Sequence, residues 1–171
     1  MAGFVHVYTG DGKGKTTAAF GLALRAAGAG KRVFIAQFVK SMIYSEVKTV
    51  DQFLPNITVK QYGLNCFLIN TPDNNDMEAA RKGLEEVKQM VSSGEYDMVV
   101  LDEATIAVFY NLISSTELID TIKGRNPRTE IVVTGRYASS DLIEIADLVT
   151  EMKEVKHYYR KGIESRVGIE C

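Results

Sequence analysis

Short runs of β-branched and aliphatic residues alternate along the chain with longer segments whose apolar positions recur at helical spacing. This alternation is typical of βαβ units, in which helical crossovers join parallel strands. Several runs are apolar at consecutive positions, as buried parallel strands tend to be. The predicted strands cover residues 4–8, 33–39, 57–62, 98–101, 130–134 and 148–151. The pattern predicts an α/β fold with a mostly parallel central sheet of about six strands flanked by helices.

The helical segments have recognisable ends. Glycines follow three of them, and Ser114 is spaced from Glu117 as in a capping box, where each side chain satisfies a free backbone N–H of the other residue. The predicted helices cover residues 15–27, about 76–92, 104–113, 114–124 and 139–146.

Two segments, 40–54 and 63–72, show no clear helix or strand pattern. Both directly follow predicted strands. Because ligands bind outside the carboxyl ends of the strands in open α/β sheets, these segments are candidate substrate-binding loops.

Composition narrows the class of protein without indicating a reaction. With 171 residues, 46% of them hydrophobic and 25% charged, the chain is expected to form one domain over residues 1–171. A net charge of −2 without blocks of like charge argues against nucleic-acid and membrane partners. There is no signal-peptide pattern, and the two cysteines, Cys66 and Cys171, show no zinc-site spacing. A cytoplasmic protein with reduced thiols is expected.

A glycine-rich segment lies between the first predicted strand and the first predicted helix: Thr9-Gly10-Asp11-Gly12-Lys13-Gly14-Lys15-Thr16-Thr17. Glycines in such a P-loop let backbone N–H groups converge on phosphate oxygens, and the helix start adds further donors. Lys15 supplies a positive charge, and the Thr16 hydroxyl is a ligand for Mg²⁺. The usual first glycine is replaced by Thr9, so the loop is one residue shorter. The alternative is a glycine-rich turn that binds no ligand.

The second half of the predicted site follows the apolar strand at 98–101. Asp102 is placed to hold Mg²⁺ directly or through water, with Glu103 as a second metal contact or a base. The alternative is that these acids only cap the next helix. Arg136, after a later strand, and Lys13 in the loop are further candidates for phosphate contact.

Considered by themselves, these residues leave several activities open. A regulatory P-loop ATPase would use Glu103 to position water. Asp-Glu-Ala after the apolar strand also resembles nucleoside kinases of the thymidine kinase type. Those kinases usually carry a cysteine-bound zinc lobe, for which two cysteines are insufficient.

An ordered set of motifs resembles one family from the first strand to the last residue. The segment at 9–21 is similar to the shortened loop of the P-loop type of ATP:corrinoid (cob(I)alamin) adenosyltransferases. The other matching strings are Gln37-Phe38-Val39-Lys40, Val99-Val100-Leu101-Asp102-Glu103, Thr134-Gly135-Arg136, Val155-Lys156-His157, Gly162 and Gly168-Ile169. The resemblance implies a P-loop NTPase fold of the RecA-like type.

The resemblance also implies a reaction. In such enzymes Co(I) of a reduced corrinoid attacks C5′ of ATP and expels triphosphate, in cobalamin biosynthesis or salvage. Co(I) has no proton to lose, so the reaction needs alignment and charge stabilisation rather than a base. Lys15, Thr16 and Glu103 are the predicted catalytic residues, and Mg²⁺ or Mn²⁺ is predicted at Thr16, Asp102 and Glu103. The predicted ATP contacts are Thr9, Gly10, Asp11, Gly12, Lys13, Gly14, Lys15, Thr16, Thr17 and Arg136.

The predicted corrinoid contacts are Lys40, Gly63, Leu64, Cys66 and Phe67. Family members commonly carry Gly-Phe-x-Trp in this region, whereas this chain has Gly-Leu-Asn-Cys-Phe at 63–67 and no tryptophan. Leu64 and Phe67 would then supply the apolar cover of the corrin. The resemblance further implies a homodimer and an electron-donating protein such as a flavodoxin.

Overall fold

The computed structural model describes residues 2–64 and 73–171, in which strands and helices alternate. The strands are β1 (Val5–Thr9), β2 (Val33–Phe38), β3 (Ile57–Tyr62), β4 (Met98–Asp102), β5 (Glu130–Thr134) and β6 (Leu148–Glu151). The helices are α1 (Lys15–Gly28), α2 (Ser45–Phe53), α3 (Asn74–Ser93), α4 (Ala104–Phe109), α5 (Ser115–Lys123) and α6 (Ser140–Ile145). A short 3₁₀ helix follows at Tyr158–Lys161.

The strands form one sheet of six, in the order β3-β2-β4-β5-β1-β6. Every pairing between neighbouring strands is parallel. The predicted α/β fold is confirmed, and the sheet is entirely parallel in the described part of the chain.

Buried side chains form one hydrophobic cluster on each face of the sheet. Alternate residues of β2 show this: Phe34 belongs to the cluster that includes buried residues of α3 to α6, whereas Ile35 belongs to the cluster that includes those of α1 and α2. Both side chains are fully buried, which explains why the central strands are apolar at consecutive positions. Within residues 2–64 and 73–171, none of the helices is both long and apolar enough to cross a membrane.

The capping box predicted for α5 is confirmed. The Ser114 hydroxyl accepts a hydrogen bond from the backbone N–H of Glu117, and the Glu117 carboxylate accepts from the backbone N–H of Ser114. The same reciprocal arrangement joins Asp73 and Asp76 at the start of α3.

The structure differs from the sequence prediction at two helices. Helix α2 lies in the segment for which no element was predicted; its N-cap, Tyr44, makes no side-chain capping bond, and it buries only Val50. Helix α4 ends at Phe109 rather than near residue 113. Asn111 adopts a left-handed φ of 56°, a conformation that asparagine tolerates and that ends helices.

Candidate active site

The carboxyl ends of β1, β2, β4 and β5, named here the active edge, all turn at residues with positive φ. These are Gly10 (97°), Val39 (63°), Glu103 (57°) and Gly135 (134°). Beside this edge lies a cavity of about 1320 Å³, lined by the P-loop, Glu103, Arg136 and the end of the chain. Its volume suits a ligand larger than a typical drug-sized molecule.

The P-loop occupies the βα turn predicted for it. Gly10 and Gly14 have the left-handed φ angles that glycine accepts. Gly12 does not; its need for glycine is steric, because a Cβ there would lie 2.7 Å from the carbonyl oxygen of Met152. The N–H of Gly12 donates to that same oxygen at 2.6 Å. This hydrogen bond joins the loop to the segment after β6, and the N–H of Gly12 is therefore not free to bind phosphate in this structure.

Lys15 folds back over its own loop. Its ammonium donates to the carbonyl oxygens of Gly10 at 2.7 Å and Gly12 at 2.9 Å. The residue is 7% exposed. Burial lowers the pKa of Lys15, and the charge of Arg136 adds to this effect. The ammonium thus lies inside the loop that is predicted to surround phosphate.

Asp102 is the centre of a hydrogen-bond network at the end of β4 and is fully buried. Its Oδ1 accepts from Thr16 Oγ1 at 2.9 Å and Thr134 Oγ1 at 2.6 Å. Its Oδ2 accepts from Gln37 Nε2 at 3.0 Å and Lys40 Nζ at 2.8 Å. Burial alone would raise the pKa of Asp102, but the Lys40 charge and these bonds hold it below its ordinary value. The carboxylate is therefore ionised and fixed in orientation.

Glu103 stands at the N-cap position of α4, yet its carboxylate makes no capping hydrogen bond to the described helix. It lines the cavity instead. Burial raises the pKa of Glu103, and the neighbouring charge of Asp102 raises it further. The missing capping bond and the position beside the cavity argue against the alternative in which Glu103 only caps the helix.

The two other predicted phosphate contacts, Arg136 and Lys13, differ in what they touch. Arg136 lines the cavity, with its Nε 3.9 Å from Oδ1 of Asp11 in the P-loop. Lys13 donates to the carbonyl oxygen of Ile169 at 2.8 Å and to the carboxylate of Glu170 at 3.1 Å. Its ammonium therefore joins the loop to the end of the chain.

Residues 1–171 match the model of the family described as ATP:corrinoid adenosyltransferase BtuR/CobO/CobP. The chain belongs to this family. It is similar to the corrinoid adenosyltransferase of Escherichia coli (strain K12), 35% identical over 169 residues that cover 98% of this chain and 85% of the relative. It is 37% identical over 171 residues to that of a Sinorhizobium species, with 98% and 80% covered. It is 35% identical over 169 residues to the corrinoid adenosyltransferase CobA of Salmonella typhimurium (strain LT2), an alignment that covers 98% of this chain and 85% of the relative.

Membership of the adenosyltransferase family confirms the resemblance found in the sequence and makes the chain a transferase with ATP as co-substrate. The active edge agrees with it. Of the predicted ATP contacts, the loop from Asp11 to Thr17 and Arg136 line the cavity, while Thr9 and Gly10 do not. Thr9 ends β1, where its carbonyl oxygen accepts from the N–H of Met152.

The residues at the end of β4 suit a hard divalent cation, for which oxygen atoms are the preferred ligands. Thr16 donates a hydrogen bond to Asp102, and the Lys40 ammonium donates a hydrogen bond to each of them. Within the described residues, no three His, Cys, Asp or Glu side chains converge as a metal cluster. A bound Mg²⁺ would therefore complete its ligand set with phosphate oxygens of the nucleotide and water.

The predicted corrinoid contacts divide into three groups. Cys66 and Phe67 lie outside the described residues. Gly63 and Leu64 do not line the cavity; Gly63 donates its N–H to the carbonyl oxygen of Lys40 at 3.1 Å, and Leu64 is exposed. Lys40 does line the cavity, with its ammonium on Asp102 and Thr16.

Several residues of this adenosyltransferase site were missed from the sequence. Gln37 and Thr134 bond to Asp102, and both stand in motifs that carried the resemblance, which was the available signal. Tyr110 and Tyr137 line the cavity without any motif to indicate them. His157, named in a matching string, accepts a hydrogen bond from the N–H of Tyr159 at 3.0 Å and so begins the 3₁₀ helix.

Gly135 is the glycine whose replacement should disturb the active edge most. A Cβ there would lie 2.2 Å from Oγ1 of Thr105, which donates to the carbonyl oxygen of Arg136 at 2.6 Å. We expect Gly135→Ala to lower the free energy of unfolding by about 2 kcal/mol or more, through strain at positive φ and through this overlap. Urea unfolding measures the loss.

Gly30→Ala is the matched control, because Gly30 also has a positive φ of 79° but nothing lies within 4 Å of the new Cβ. It should cost about 1 kcal/mol, the strain alone. Equal losses in the two variants would contradict the role given to Thr105.

Proposed function

We propose that the chain transfers the 5′-deoxyadenosyl group of ATP to Co(I) of a reduced corrinoid and releases triphosphate. The observation that carries this proposal is the family match over residues 1–171. The active edge supports it, because the P-loop, Glu103 and Arg136 all line one large cavity.

The reaction itself requires no proton transfer by the protein. The cobalt lone pair forms the bond to C5′, the bond between C5′ and the α-phosphate oxygen breaks, and its electron pair leaves with triphosphate. No proton is removed from the nucleophile. The protein must therefore align the two substrates and stabilise negative charge on the leaving group.

We assign the charge stabilisation to the P-loop and Arg136. Lys15 would exchange its bonds to the Gly10 and Gly12 carbonyl oxygens for bonds to phosphate oxygens, which are stronger acceptors because they are charged. Arg136 lines the same cavity, with its Nε near Asp11 of the loop, and would bind phosphate oxygens from there. Both interactions strengthen as charge moves onto the triphosphate, so they favour the transition state over bound ATP.

Thr16 and Asp102, with Glu103 beside them, are the residues that would hold Mg²⁺ or Mn²⁺. A metal there supplies positive charge to the phosphate oxygens. Thr134 and Gln37 keep the Asp102 carboxylate in a fixed orientation. Glu103 has no proton to remove in this reaction, so we assign it the role of a metal ligand rather than that of a general base.

The corrinoid is proposed to enter from the side of Lys40 and Gly63. The homodimer, the flavodoxin-type electron donor and the cytoplasmic location stay predictions drawn from the family resemblance.

Product analysis tests the proposed function. Purified protein is incubated without oxygen with Mg-ATP and chemically reduced cob(I)alamin, and the spectrum and the phosphate products are followed. We expect adenosylcobalamin and triphosphate in equal amounts. ADP and phosphate, formed equally well without corrinoid, would instead support the regulatory ATPase, and a nucleoside monophosphate formed on addition of a nucleoside would support the kinase.

A further inference from the structure

The ammonium of Lys40 contacts two of the three side chains that are assigned above to the metal, Asp102 and Thr16. It donates to Oδ2 of Asp102 at 2.8 Å and to Oγ1 of Thr16 at 3.1 Å. Thr16 in turn donates to Oδ1 of Asp102 at 2.9 Å. One positive group thus bridges a P-loop hydroxyl and the carboxylate at the end of β4.

This bridge is more than a surface ion pair. Asp102 is fully buried, and the Lys40 side chain is only 16% exposed. A buried carboxylate without a partner is strongly destabilising, so some cation must accompany Asp102. A divalent ion bound to Thr16 and Asp102 would compete with this ammonium for the same two oxygen atoms and, like it, would place positive charge beside the carboxylate.

We propose that Lys40 is a positioning residue of the metal site, whose ammonium takes the place of the metal ion until Mg·ATP arrives and is then displaced by it. The proposal rests on the metal role given above to Thr16 and Asp102. The ammonium holds these two side chains close enough together to bind one metal ion. Because the metal replaces the ammonium, a cation lies beside Asp102 both before and after the metal binds.

The surroundings of Lys40 offer a place for the displaced side chain. The ring of Tyr44 lies 5.9 Å from the ammonium, at cation–π distance, and both residues line the cavity. The Lys40 carbonyl oxygen accepts the N–H of Gly63 at the end of β3. The backbone of Lys40 is thereby joined to Gly63, one of the predicted corrinoid contacts.

Metal binding with ATP present and corrinoid withheld tests the proposal, because no adenosyl transfer then takes place. Mn²⁺ is titrated and its free signal is followed by electron paramagnetic resonance, and urea midpoints are measured in EDTA and in saturating Mn²⁺ with ATP. We expect Lys40→Met to bind Mn²⁺ at least about tenfold more tightly, since no ammonium competes. Its urea midpoint should fall in EDTA and recover with Mn²⁺ and ATP.

Two further variants make the result specific. Lys40→Arg keeps a cation beside Asp102, so its midpoint in EDTA should lie above that of Lys40→Met, without tighter Mn²⁺ binding. Lys60→Met removes a different lysine–carboxylate pair, with Glu86, and should leave Mn²⁺ binding unchanged.

The outcomes separate the two proposals. If wild-type protein binds ATP but neither it nor any variant binds Mn²⁺ with ATP, the metal site is wrong and the Lys40 proposal falls with it. If the wild type binds Mn²⁺ but Lys40→Met binds it equally or more weakly, the site stands and the role of Lys40 is overturned.

Discussion

Replacing Lys15 by alanine is expected to lower kcat/KM for adenosyl transfer by at least about a hundredfold. The lysine supplies a charge that is held inside the P-loop by the carbonyl oxygens of Gly10 and Gly12. Removing one donor to a developing negative charge typically costs about 10²- to 10³-fold. Because the triphosphate gains charge as it leaves, kcat should fall as well as KM rise. Steady-state kinetics under anaerobic conditions measure both.

Lys13→Ala provides the comparison within the same loop. Its ammonium is bonded to Ile169 and Glu170 at the end of the chain, so its loss should reduce kcat/KM far less than the loss of Lys15. If Lys15→Ala keeps wild-type turnover, the P-loop lysine has no part in the mechanism.

Replacing Asp102 by asparagine is expected to harm both stability and turnover. Four side chains of the described residues donate hydrogen bonds to the Asp102 carboxylate: Thr16, Thr134, Gln37 and Lys40. The amide of asparagine would turn its own N–H₂ toward two of them and leave the Lys40 charge unpaired. We expect a loss of about 3 kcal/mol in the free energy of unfolding, and at least a roughly tenfold loss of turnover.

The pH dependence of unfolding checks the cause of this loss. Because the pKa of Asp102 lies below its ordinary value of 3.8, its contribution is fully present above that pH and is lost as the pH falls through the lower folded-state pKa. The difference between wild type and Asp102→Asn should therefore shrink in strong acid.

Asp97→Asn is the control at the other end of β4, where the exposed Asp97 carboxylate accepts, among the described residues, only the backbone N–H of Arg32 at 2.9 Å. It should cost about 1 kcal/mol or less. A similar loss in both variants at pH 7 would show that the network around Asp102 adds no stability of its own.

The strands were predictable because local sequence determines them. The bounds of β3, β5 and β6 agree with the sequence prediction, since each strand is rich in the β-branched residues that favour strands. Helix α2 was not predictable, because it has no capping side chain and buries only Val50, so neither a cap nor an apolar stripe marks it in the sequence.

The site was predictable where one residue type performs one task. Lys15, Thr16, Asp102 and Glu103 stand together as their motifs indicated. The partners of Asp102 were not predictable, because Gln37 and Lys40 come from the end of β2 and Thr134 from the end of β5, and only the sheet order places these strands on either side of β4. Lys40 was predicted beside the corrinoid, and the sequence held no sign that its ammonium reaches Asp102.

The positive φ angles at the active edge have a consequence for adaptation to heat. Val39 and Glu103 at this edge, and Tyr137 two residues after Gly135, hold φ values of 63°, 57° and 60°, although none of them is glycine. A backbone of this kind costs about 1 to 2 kcal/mol at each position. Replacing these residues by glycine would remove the backbone strain and raise the free energy of unfolding. The same changes would make the backbone more flexible and so loosen the orientation of Lys40, Glu103 and Arg136. A more heat-resistant form of this enzyme is therefore best sought among substitutions away from the active edge.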